Sequence, residues 1–384
     1  MPVITSIADL RALARKRLPR AIFEYADRGS YDEVTLRRNR VDYEALQFRQ
    51  RVAVDVSTQS LATTFIGQPV TMPLGIAPTG LAGLFYRNGE IEGARAAQAF
   101  GVPFCLSTVS ICSIEDVHAA VDKPFWFQLY LMRDRAFNEE LIGRAKAANC
   151  SALVLTLDLQ MQGVRRQDIK NGLSVPPRLT LRNAIEIAMK PRWALGVLCG
   201  KRRTFGNLEG RMGAATGLAT LSEWISKQFD TTVSWKDVDW VRKQWPGKLI
   251  LKGVLDPEDA RIASATGADA IIVSNHGGRQ LDGAPSTISA LPGVVDAVNG
   301  RCEVLLDGGV QCGQDLLKAL ALGARGCLIG KAFLYGLAAG GRAGVTTALD
   351  LIRKELAVTV GLAGLSDIRA VDRSILYEAA ARSR

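Results

Sequence analysis

The densest group of reactive side chains lies in residues 271–286, IIVSNHGGRQLDGAPS. A histidine can take or give a proton near neutral pH, and an arginine beside it can bind a carboxylate. The two glycines after His276 allow a sharp turn that returns Arg279 to the side of the imidazole. The stretch therefore predicts a site that holds a ligand and moves a proton. Its polar members are Ser274, Asn275, His276, Arg279 and Asp282.

The chain holds two histidines, and they lie in different patterns. His118 lies in SIEDVHAAV, a helical pattern typical of a surface or half-buried position. His276 follows the apolar run 271–273, typical of a buried strand whose C-terminal end faces an active site. The alternative is a structural histidine bonded to backbone, which does not require a glycine turn that returns an arginine. We interpret His276 as a catalytic base.

The elements that must position these residues follow a repeating pattern. From residue 73, strand patterns alternate with helical patterns, and the connections are short except after the fourth strand. Eight such units predict an α/β fold, a TIM (β/α)₈ barrel, rather than an open doubly wound sheet. The predicted strands are 73–77, 103–106, 125–129, 152–156, 248–252, 269–274, 303–306 and 326–329. The predicted helices are 88–100, 113–120, 134–148, 235–244, 256–266, 287–299, 313–323 and 332–338.

Two N-terminal helices, 6–17 and 19–28, are predicted before the barrel from apolar and basic residues at helical spacing. Residues 41–72 show short alternating runs, which predict loops with a small hairpin. A long excursion, 159–234, interrupts the barrel after strand four. We interpret residues 1–384 as a single barrel domain that carries this insertion.

Each predicted strand ends in polar or glycine residues, which would line the mouth of the barrel. Neutral donors and acceptors with one lysine suit a large polar heterocycle that carries a phosphate. Gly-rich turns after strands seven and eight, 307–309 and 329–331, offer backbone N–H groups where barrels commonly bind phosphate. The strand ends carry Pro78-Thr79-Gly80, Ser107-Thr108, Gln128 and Tyr130, Thr156 and Asp158, Lys252, Ser274 and His276, Asp307-Gly308-Gly309, and Gly330-Lys331.

The positive charge of the chain is concentrated in one segment. The net charge is +10, and residues 170–212 hold nine basic side chains against two acidic ones, which gives +7 in this segment. Apolar residues between these cations, among them Trp193, predict a segment that lies in a membrane interface with Trp193 at headgroup level. A lid or an oligomer contact is the alternative. Nucleic-acid binding is disfavoured because no aromatic pattern for base stacking accompanies the charge.

The N-terminus lacks the apolar core of a signal peptide, so a cytoplasmic protein is expected. Two uncharged stretches, 56–86 and 96–114, contain prolines and are not expected to cross a membrane. The seven cysteines form no CxxC pair and lie mostly in apolar runs. They predict buried free thiols, with no disulfide and no structural metal.

Together, these motifs resemble the FMN-dependent α-hydroxy acid dehydrogenase/oxidase family, and in particular the bacterial respiratory, quinone-linked L-lactate dehydrogenases. The resemblance covers essentially the whole chain, and the motif after strand six is its most specific part. The motifs that carry it are SNHGGRQLDG, LDGG, ALALGA, WFQLY, IKN, VTLRRN, LSTVSIC, PRWA, WKDVDWVR and ILKGVLDPEDA.

The resemblance implies a role for each matching residue. His276 would be the base, with Asp158 stabilising its imidazolium, and Arg279 and Arg165 would bind the substrate carboxylate. Tyr25 would also contact the carboxylate, and Tyr130 the substrate hydroxyl. The matching FMN positions are Pro78, Thr79, Gly80, Ser107, Gln128, Thr156, Lys252, Ser274, Asp307, Gly308, Gly309, Val310, Gln311, Gly330 and Lys331.

Three positions depart from the pattern of the family. Gln311 and Lys331 stand where an arginine is usual, both on the phosphate side of FMN, and Leu159-Gln160 replaces a more usual residue-Pro step. Gly80 is more typical of membrane dehydrogenases than of oxidases, so we expect electrons to pass to a quinone or cytochrome. Val109 leaves room beyond a methyl group, which favours L-lactate.

The resemblance also implies a homotetramer that is peripheral on the inner membrane. The alternatives are a soluble 2-hydroxy acid oxidase that makes H₂O₂, an L-mandelate dehydrogenase, and a basic scaffold without flavin chemistry.

Overall fold

The computed structural model describes residues 3–173, 180–209 and 228–377. Eight parallel strands form one sheet in the order β3-β10-β9-β8-β7-β6-β5-β4. A parallel bridge between Ile76 of β3 and Phe104, just before β4, joins the two edges of this sheet. The strands therefore close into the predicted TIM barrel. The barrel strands are β3 (Leu74–Ile76), β4 (Cys105–Ser107), β5 (Trp126–Tyr130), β6 (Ala152–Thr156), β7 (Lys248–Val254), β8 (Ala270–Val273), β9 (Glu303–Asp307) and β10 (Gly326–Ile329).

Alternate residues along each barrel strand point to opposite sides of the sheet. In β6, Val154 packs inside the barrel, whereas Leu153 and Leu155 pack outward beneath the helices. A short hairpin, β1 (Thr63–Phe65) and β2 (Gln68–Val70), supplies Phe65 to the inner cluster. Because a Cβ on Gly326 would lie 2.0 Å from the Phe65 ring, the hairpin closes the N-terminal end of the barrel. The opposite end is the side on which the strands finish.

Helices surround the barrel and also precede it. Ser6 caps the first helix and shares a capping box with Asp9, which explains why the helix begins where it does. The described helices are α1 (Ile7–Arg17), α2 (Arg20–Asp27), α3 (Val34–Ala45), α4 (Ala82–Phe85), α5 (Gly89–Phe100), α6 (Ile114–His118), α7 (Arg135–Ala147), α8 (Arg166–Lys170), α9 (Leu181–Ala188), α10 (Pro191–Leu198), α11 (Trp235–Gln244), α12 (Pro257–Ala265), α13 (Thr287–Val298), α14 (Gly313–Ala321) and α15 (Lys331–Leu362).

Two parts of the sequence prediction were wrong. Residues 41–45 belong to helix α3, not to a loop, because Tyr43 packs fully buried in the core. The helix predicted at 332–338 continues to Leu362 after a break at Gly340 and Gly341. Its second half packs Leu349, Ile352 and other apolar residues into the core.

The inserted segment contributes α8, α9 and α10 among its described residues, while 174–179 and 210–227 lie outside the part of the chain that the structure describes. Of the described helices, none is long and apolar enough to cross a bilayer.

Candidate active site

The end of β8 places an imidazole against a carboxylate. His276 has φ +58° and is followed by Gly277 and Gly278 at φ +67° and +74°. A Cβ on Gly278 would lie 2.7 Å from the backbone of Leu36, so this close approach requires glycine. The turn sets Nδ1 of His276 at 3.1 and 3.2 Å from the two carboxylate oxygens of Asp158.

The charges around this pair favour a neutral imidazole. Burial lowers the pKa of His276, and the attraction of Asp158 offsets this only in part. Burial would raise the pKa of Asp158, but the interactions with His276, including its hydrogen bond, and with the charge of Lys252 outweigh it and hold that pKa below its usual value. A carboxylate only accepts hydrogen bonds, so Nδ1 carries the proton and Nε2 keeps its lone pair. Nε2 lies 3.4 Å from the hydroxyl of Tyr130.

Arg279 is held at the C-terminal end of α2. Its Nη1 donates to the carbonyl oxygens of Tyr25 and, at 3.2 Å, of Arg28. Its guanidinium lies over the ring of Tyr25, 4.8 Å from the centroid. Burial and the nearby charge of Arg165 lower the pKa of Arg279 to about 10, which leaves it charged at neutral pH. Two guanidinium groups so close together favour an anionic ligand between them.

The loop that carries Arg165 is fixed by a residue that the sequence analysis missed. Nε2 of Gln280 donates to the carbonyls of Asp158 and Met161 at 2.7 and 2.9 Å, and its Oε1 accepts from the N–H of Gly163 at 3.2 Å. Gln280 therefore joins the β6 end, the start of the insertion and the His276 turn. It stands directly after Arg279 in the motif, and this adjacency was the available signal.

A second missed residue is Asp168 on α8. Its side chain lines the same cavity as Arg165 and Arg279, and it is buried. Burial raises the pKa of Asp168, and the attraction of the two arginines offsets this only in part. The sequence signal was an aspartate three residues after Arg165 in a helical turn.

Lys252 forms the floor of the site at the end of β7. It is 3% exposed, and its Nζ donates to Oγ of Ser274 at 2.9 Å and lies 3.4 Å from Oδ2 of Asp307. Burial disfavours its charge, but Asp307 and Asp158 outweigh this and raise its pKa above the usual value. The lysine is therefore a fixed positive charge beneath the cavity.

Three buried polar atoms near this floor make no hydrogen bond to a described residue, and they test the expectation of a flavin. They are Nε2 of Gln128, Oγ1 of Thr156 and Oδ1 of Asp307. In register, Thr156 lies beside Lys252 on the neighbouring strand. Buried polar atoms are normally paired, so their presence indicates a polar ligand. The carbonyl and N–H edge of a flavin ring fits this set of donors and acceptors.

The other end of the cavity carries the expected phosphate loops. Gly308, Gly309, Gln311, Gly330 and Lys331 all line it. Nζ of Lys331 donates to the carbonyl of Asp27 at 2.9 Å. Burial and the charge of Arg279 lower the pKa of Lys331 to about 7.

Arg40 is a further cation at this end, and the sequence analysis did not single it out. It also lines the cavity, and it pairs with Asp315 at 2.6 Å. The carboxylate of Asp315 also accepts from the N–H of Gln311 at 2.9 Å, so the pair fixes this loop.

The predicted residues separate into two groups. Asp158, Ser107, Gln128, Thr156 and Ser274 are not among the described residues that line the cavity of about 560 Å³, and all but Asp158 are buried at strand ends. Asp282 does not line it either, because its carboxylate accepts from the N–H groups of Asp32 and Thr35. The predicted residues that do line it are Tyr25, Pro78, Thr79, Gly80, Tyr130, Arg165, Lys252, His276, Arg279, Asp307, Gly308, Gly309, Val310, Gln311, Gly330 and Lys331.

Trp193 corrects the expectation for the basic segment. Its indole N–H donates to the carbonyl of Leu84 at 2.7 Å, and its ring lines the cavity. It is therefore turned toward the barrel and does not project outward to a headgroup layer.

Known proteins match this chain over nearly its whole length. It is 47% identical over 382 residues to an L-lactate dehydrogenase of Caulobacter vibrioides, covering 99% of this chain and 100% of that one. It is 47% identical over 377 residues to an L-lactate dehydrogenase of Ectopseudomonas mendocina, covering 98% and 99%. The crystal structure of monotopic membrane protein (S)-mandelate dehydrogenase superposes with a TM-score of 0.93 at 36% identity, covering 98% and 100%. The family described as FMN-dependent dehydrogenase matches residues 14–378, and the chain belongs to this family.

Proposed function

We propose that this chain oxidises L-lactate to pyruvate and passes the two electrons to a quinone in the membrane. The observation that carries the proposal is the contact of His276 with both oxygens of Asp158, beside Arg279 in one cavity. FMN, on which this family depends, supplies the two-electron acceptor next to the substrate. The relatives named L-lactate dehydrogenase support lactate as the substrate.

The residues of the chain bind, orient and deprotonate the substrate. Arg279 and Arg165 bind the carboxylate, and the ring of Tyr25 keeps the Arg279 guanidinium in place. Tyr130 contacts the substrate hydroxyl, and burial raises the pKa of its phenol so that it remains a hydrogen-bond donor. Nε2 of His276 takes a proton from the substrate, either from the α-carbon or from the hydroxyl.

Asp158 stabilises the imidazolium that forms when His276 accepts this proton. Lys252 would supply a fixed positive charge toward the ring edge of the cofactor. Gln128, Thr156, Ser274 and Ser107 would hold the ring edge, and the loops 307–311 and 330–331 would hold the phosphate.

An absorbance spectrum tests the reaction directly. The purified protein should show flavin absorbance that is bleached when L-lactate is added without oxygen and that is unchanged by D-lactate. Faster bleaching by (S)-mandelate would reassign the substrate. A colourless protein that gains no absorbance with added FMN would contradict the proposal as a whole.

The proposed membrane contact rests on α9 and α10. Leu181 is 80% exposed and Leu195 is 61% exposed, and Arg182 and Arg192 are exposed on the same two helices. Apolar and basic side chains exposed together are typical of a helix that lies in an anionic membrane interface. The solved structure named above is that of a monotopic membrane protein, which supports a peripheral contact with a membrane, and we infer that this membrane is the inner membrane. Flotation with vesicles of anionic lipid should carry the protein upward, whereas purely zwitterionic vesicles should bind it less.

The electron acceptor is tested separately. If the acceptor is a quinone, L-lactate should drive reduction of a soluble quinone analogue, and peroxide should form only slowly in air. Rapid peroxide formation would instead assign the chain as an oxidase. We further infer that the whole chain acts as one domain and assembles as a homotetramer. Light scattering of the detergent-solubilised protein measures that assembly.

A further inference from the structure

The cavity that holds the catalytic groups has a second, apolar arm. Part of its lining consists of the polar or charged side chains His276, Arg279 and Lys331, and another part consists of hydrocarbon or aromatic side chains. The apolar arm is lined by Ile22, Leu81, Leu84, Trp193, Val197 and Phe205. One cavity is therefore lined both by groups that can bind an anion and by an apolar surface that offers no group for an anion.

The arm lies between three helical parts of the chain. Ile22 comes from α2, Leu84 from α4, and Trp193 and Val197 from α10. All four are half-buried and line the cavity. The hydrogen bond from the indole N–H of Trp193 to the carbonyl of Leu84 joins α10 to α4.

Helix α10 has different surroundings on its two sides. Trp193 and Val197 line the arm, whereas Leu195 and Leu198 are exposed on the opposite side. The exposed side belongs to the surface proposed above to enter the membrane interface. The apolar arm of the cavity therefore lies directly behind the exposed side of α10.

The side chain of L-lactate is a single methyl group, which is too small to fill this arm. The second half of the reaction requires an oxidant. L-Lactate loses two electrons and two protons when its C–H and O–H bonds break, and an apolar quinone that gains two electrons and two protons forms the two O–H bonds of a quinol. Quinones dissolve in the bilayer, and an apolar lining matches their ring and tail.

We propose that the apolar arm between α2, α4 and α10 is the entry and docking site of a membrane-dissolved quinone. The proposal rests on the proposed quinone-linked function and adds the place where the quinone binds. The quinone would pass beside Trp193 and Val197 into the cavity that would hold the flavin. It does not have to cross water between the membrane and the site.

Two tryptophan substitutions on the same helix test the arm. Val197→Trp adds bulk inside the arm, and Leu195→Trp adds similar bulk on the exposed side. With decylubiquinone in detergent, Val197→Trp should lower kcat/KM for the quinone by about tenfold or more, the loss expected when added bulk opposes binding by more than about 1.4 kcal/mol. Leu195→Trp should remain close to the unsubstituted protein.

Reduction of the flavin by L-lactate, followed without oxygen, is the reference measurement for each variant. It should be unchanged within about twofold in both variants, because neither Val197 nor Leu195 is among the residues proposed to bind the hydroxy acid. Equal quinone kinetics in the two variants would overturn the docking site while leaving the proposed function intact. A Val197→Trp variant that slows flavin reduction by L-lactate would assign the arm to the hydroxy acid, which also overturns it.

Photolabelling of the unsubstituted holoenzyme gives a test that does not depend on a variant folding. An azidoquinone should label peptides that contain 81–85 or 191–198, and excess decylubiquinone should prevent the labelling. Labelling confined to other peptides would overturn the proposal. If decylubiquinone is not reduced at all while L-lactate bleaches the flavin, the quinone-linked function itself is wrong.

Discussion

At the scale of single residues, the two ring nitrogens of His276 have different partners and therefore different roles. Nδ1 faces both oxygens of Asp158, and Nε2 faces the hydroxyl of Tyr130 across the cavity. The carboxylate fixes the proton on Nδ1, so the lone pair that can accept a substrate proton is on Nε2. Removing the imidazole should therefore remove the base without disturbing the groups that hold FMN.

We expect His276→Ala to lower kcat by about 10³-fold, within the range that general bases contribute. Flavin absorbance per protein should be unchanged, because the cofactor contacts proposed above come from other residues. The measurement is anaerobic flavin reduction by L-lactate in a stopped-flow instrument. Matched loss of FMN and activity would mean that the histidine is structural.

The pH dependence of kcat/KM should show an acidic limb. Burial lowers the pKa of His276 below its usual value of 6.5, so the imidazole of the free enzyme is neutral at pH 7 and becomes protonated only at lower pH. As a base it works only when neutral, so kcat/KM should be level near pH 7 and fall tenfold per pH unit below that lowered pKa. Asp158→Asn removes the charge that raises this pKa, so it should move the limb to still lower pH. An acidic limb that moves to higher pH in Asp158→Asn would contradict the assignment of His276 as the base.

Lys331 offers a test of the phosphate end. A charged hydrogen bond contributes about 1.5–3 kcal/mol, so Lys331→Ala should raise the Kd of FMN by roughly 10–100-fold. Lys331→Arg should retain FMN because it keeps the charge. The measurement is the recovery of free flavin fluorescence on dilution, with Lys354→Ala at an exposed position of the same helix as the control. Equal release of FMN from Lys331→Ala, Lys331→Arg and Lys354→Ala would mean that Lys331 does not bind the phosphate.

Site residues at strand ends could be predicted, because a strand pattern fixes which residue comes next to the barrel mouth. Gln280 and Arg40 were missed for a physical reason. Gln280 makes hydrogen bonds to residues that lie 117 to 122 positions away in the sequence, and Arg40 pairs with Asp315, which lies 275 positions away. No local pattern marks such contacts, since they exist only once the barrel has closed.

At the scale of elements, the end of β7 is shaped by an irregularity beside the catalytic pair. The pairing of β7 with β8 shifts between Lys252 and Val254, and the residue between them, Gly253, has φ +104°. A Cβ on Gly253 would lie 2.7 Å from the Cβ of Asp158. The strand can therefore present Lys252 to the cavity and still leave room for Asp158 only if this residue is glycine.

Gly253→Ala should displace Asp158 and lower kcat/KM by at least about tenfold, since misplaced catalytic groups cost this much or more. The unfavourable backbone conformation should also lower the free energy of unfolding by more than about 1 kcal/mol. Gly143→Ala in α7 is the matched control, because a Cβ there meets no atom within 4 Å. Rate measurements and chemical denaturation of both variants test this. If Gly253→Ala behaved like the control, β7 would not control the position of Asp158.

The element predictions were most accurate where apolar periodicity was complete. The predicted strand 152–156 matches β6 at both ends, and the predicted helix 235–244 matches α11 at both ends. Helix α3 was missed because its periodicity is weak and its burial depends on a few residues such as Tyr43 and Asn39. Asn39 and Asn275 bond each other through both amides, at 2.9 and 2.8 Å, which couples α3 to the end of β8.

At the scale of the whole molecule, the barrel and the cofactor depend on each other. The closed sheet brings Gln128, Thr156 and Asp307 from three different strands to one floor, and each keeps a buried polar atom without a described partner. An unpaired buried polar group costs about 1–3 kcal/mol. A flavin that makes hydrogen bonds to these atoms would therefore remove the free-energy cost that they have in the barrel without a ligand.

We expect removal of FMN to lower the Tm of the protein, and its return to restore it. At a free FMN concentration of one hundred times Kd, binding to the folded state alone adds about 2.7 kcal/mol to the free energy of unfolding. Riboflavin, which has the ring but no phosphate, should restore only part of the Tm, and Lys331→Ala should reduce the difference between the two ligands. Differential scanning fluorimetry with each ligand measures these shifts. Equal recovery with riboflavin and FMN would mean that the loops 307–311 and 330–331 do not bind the phosphate, because the strand-end floor would then supply all of the ligand's stabilisation.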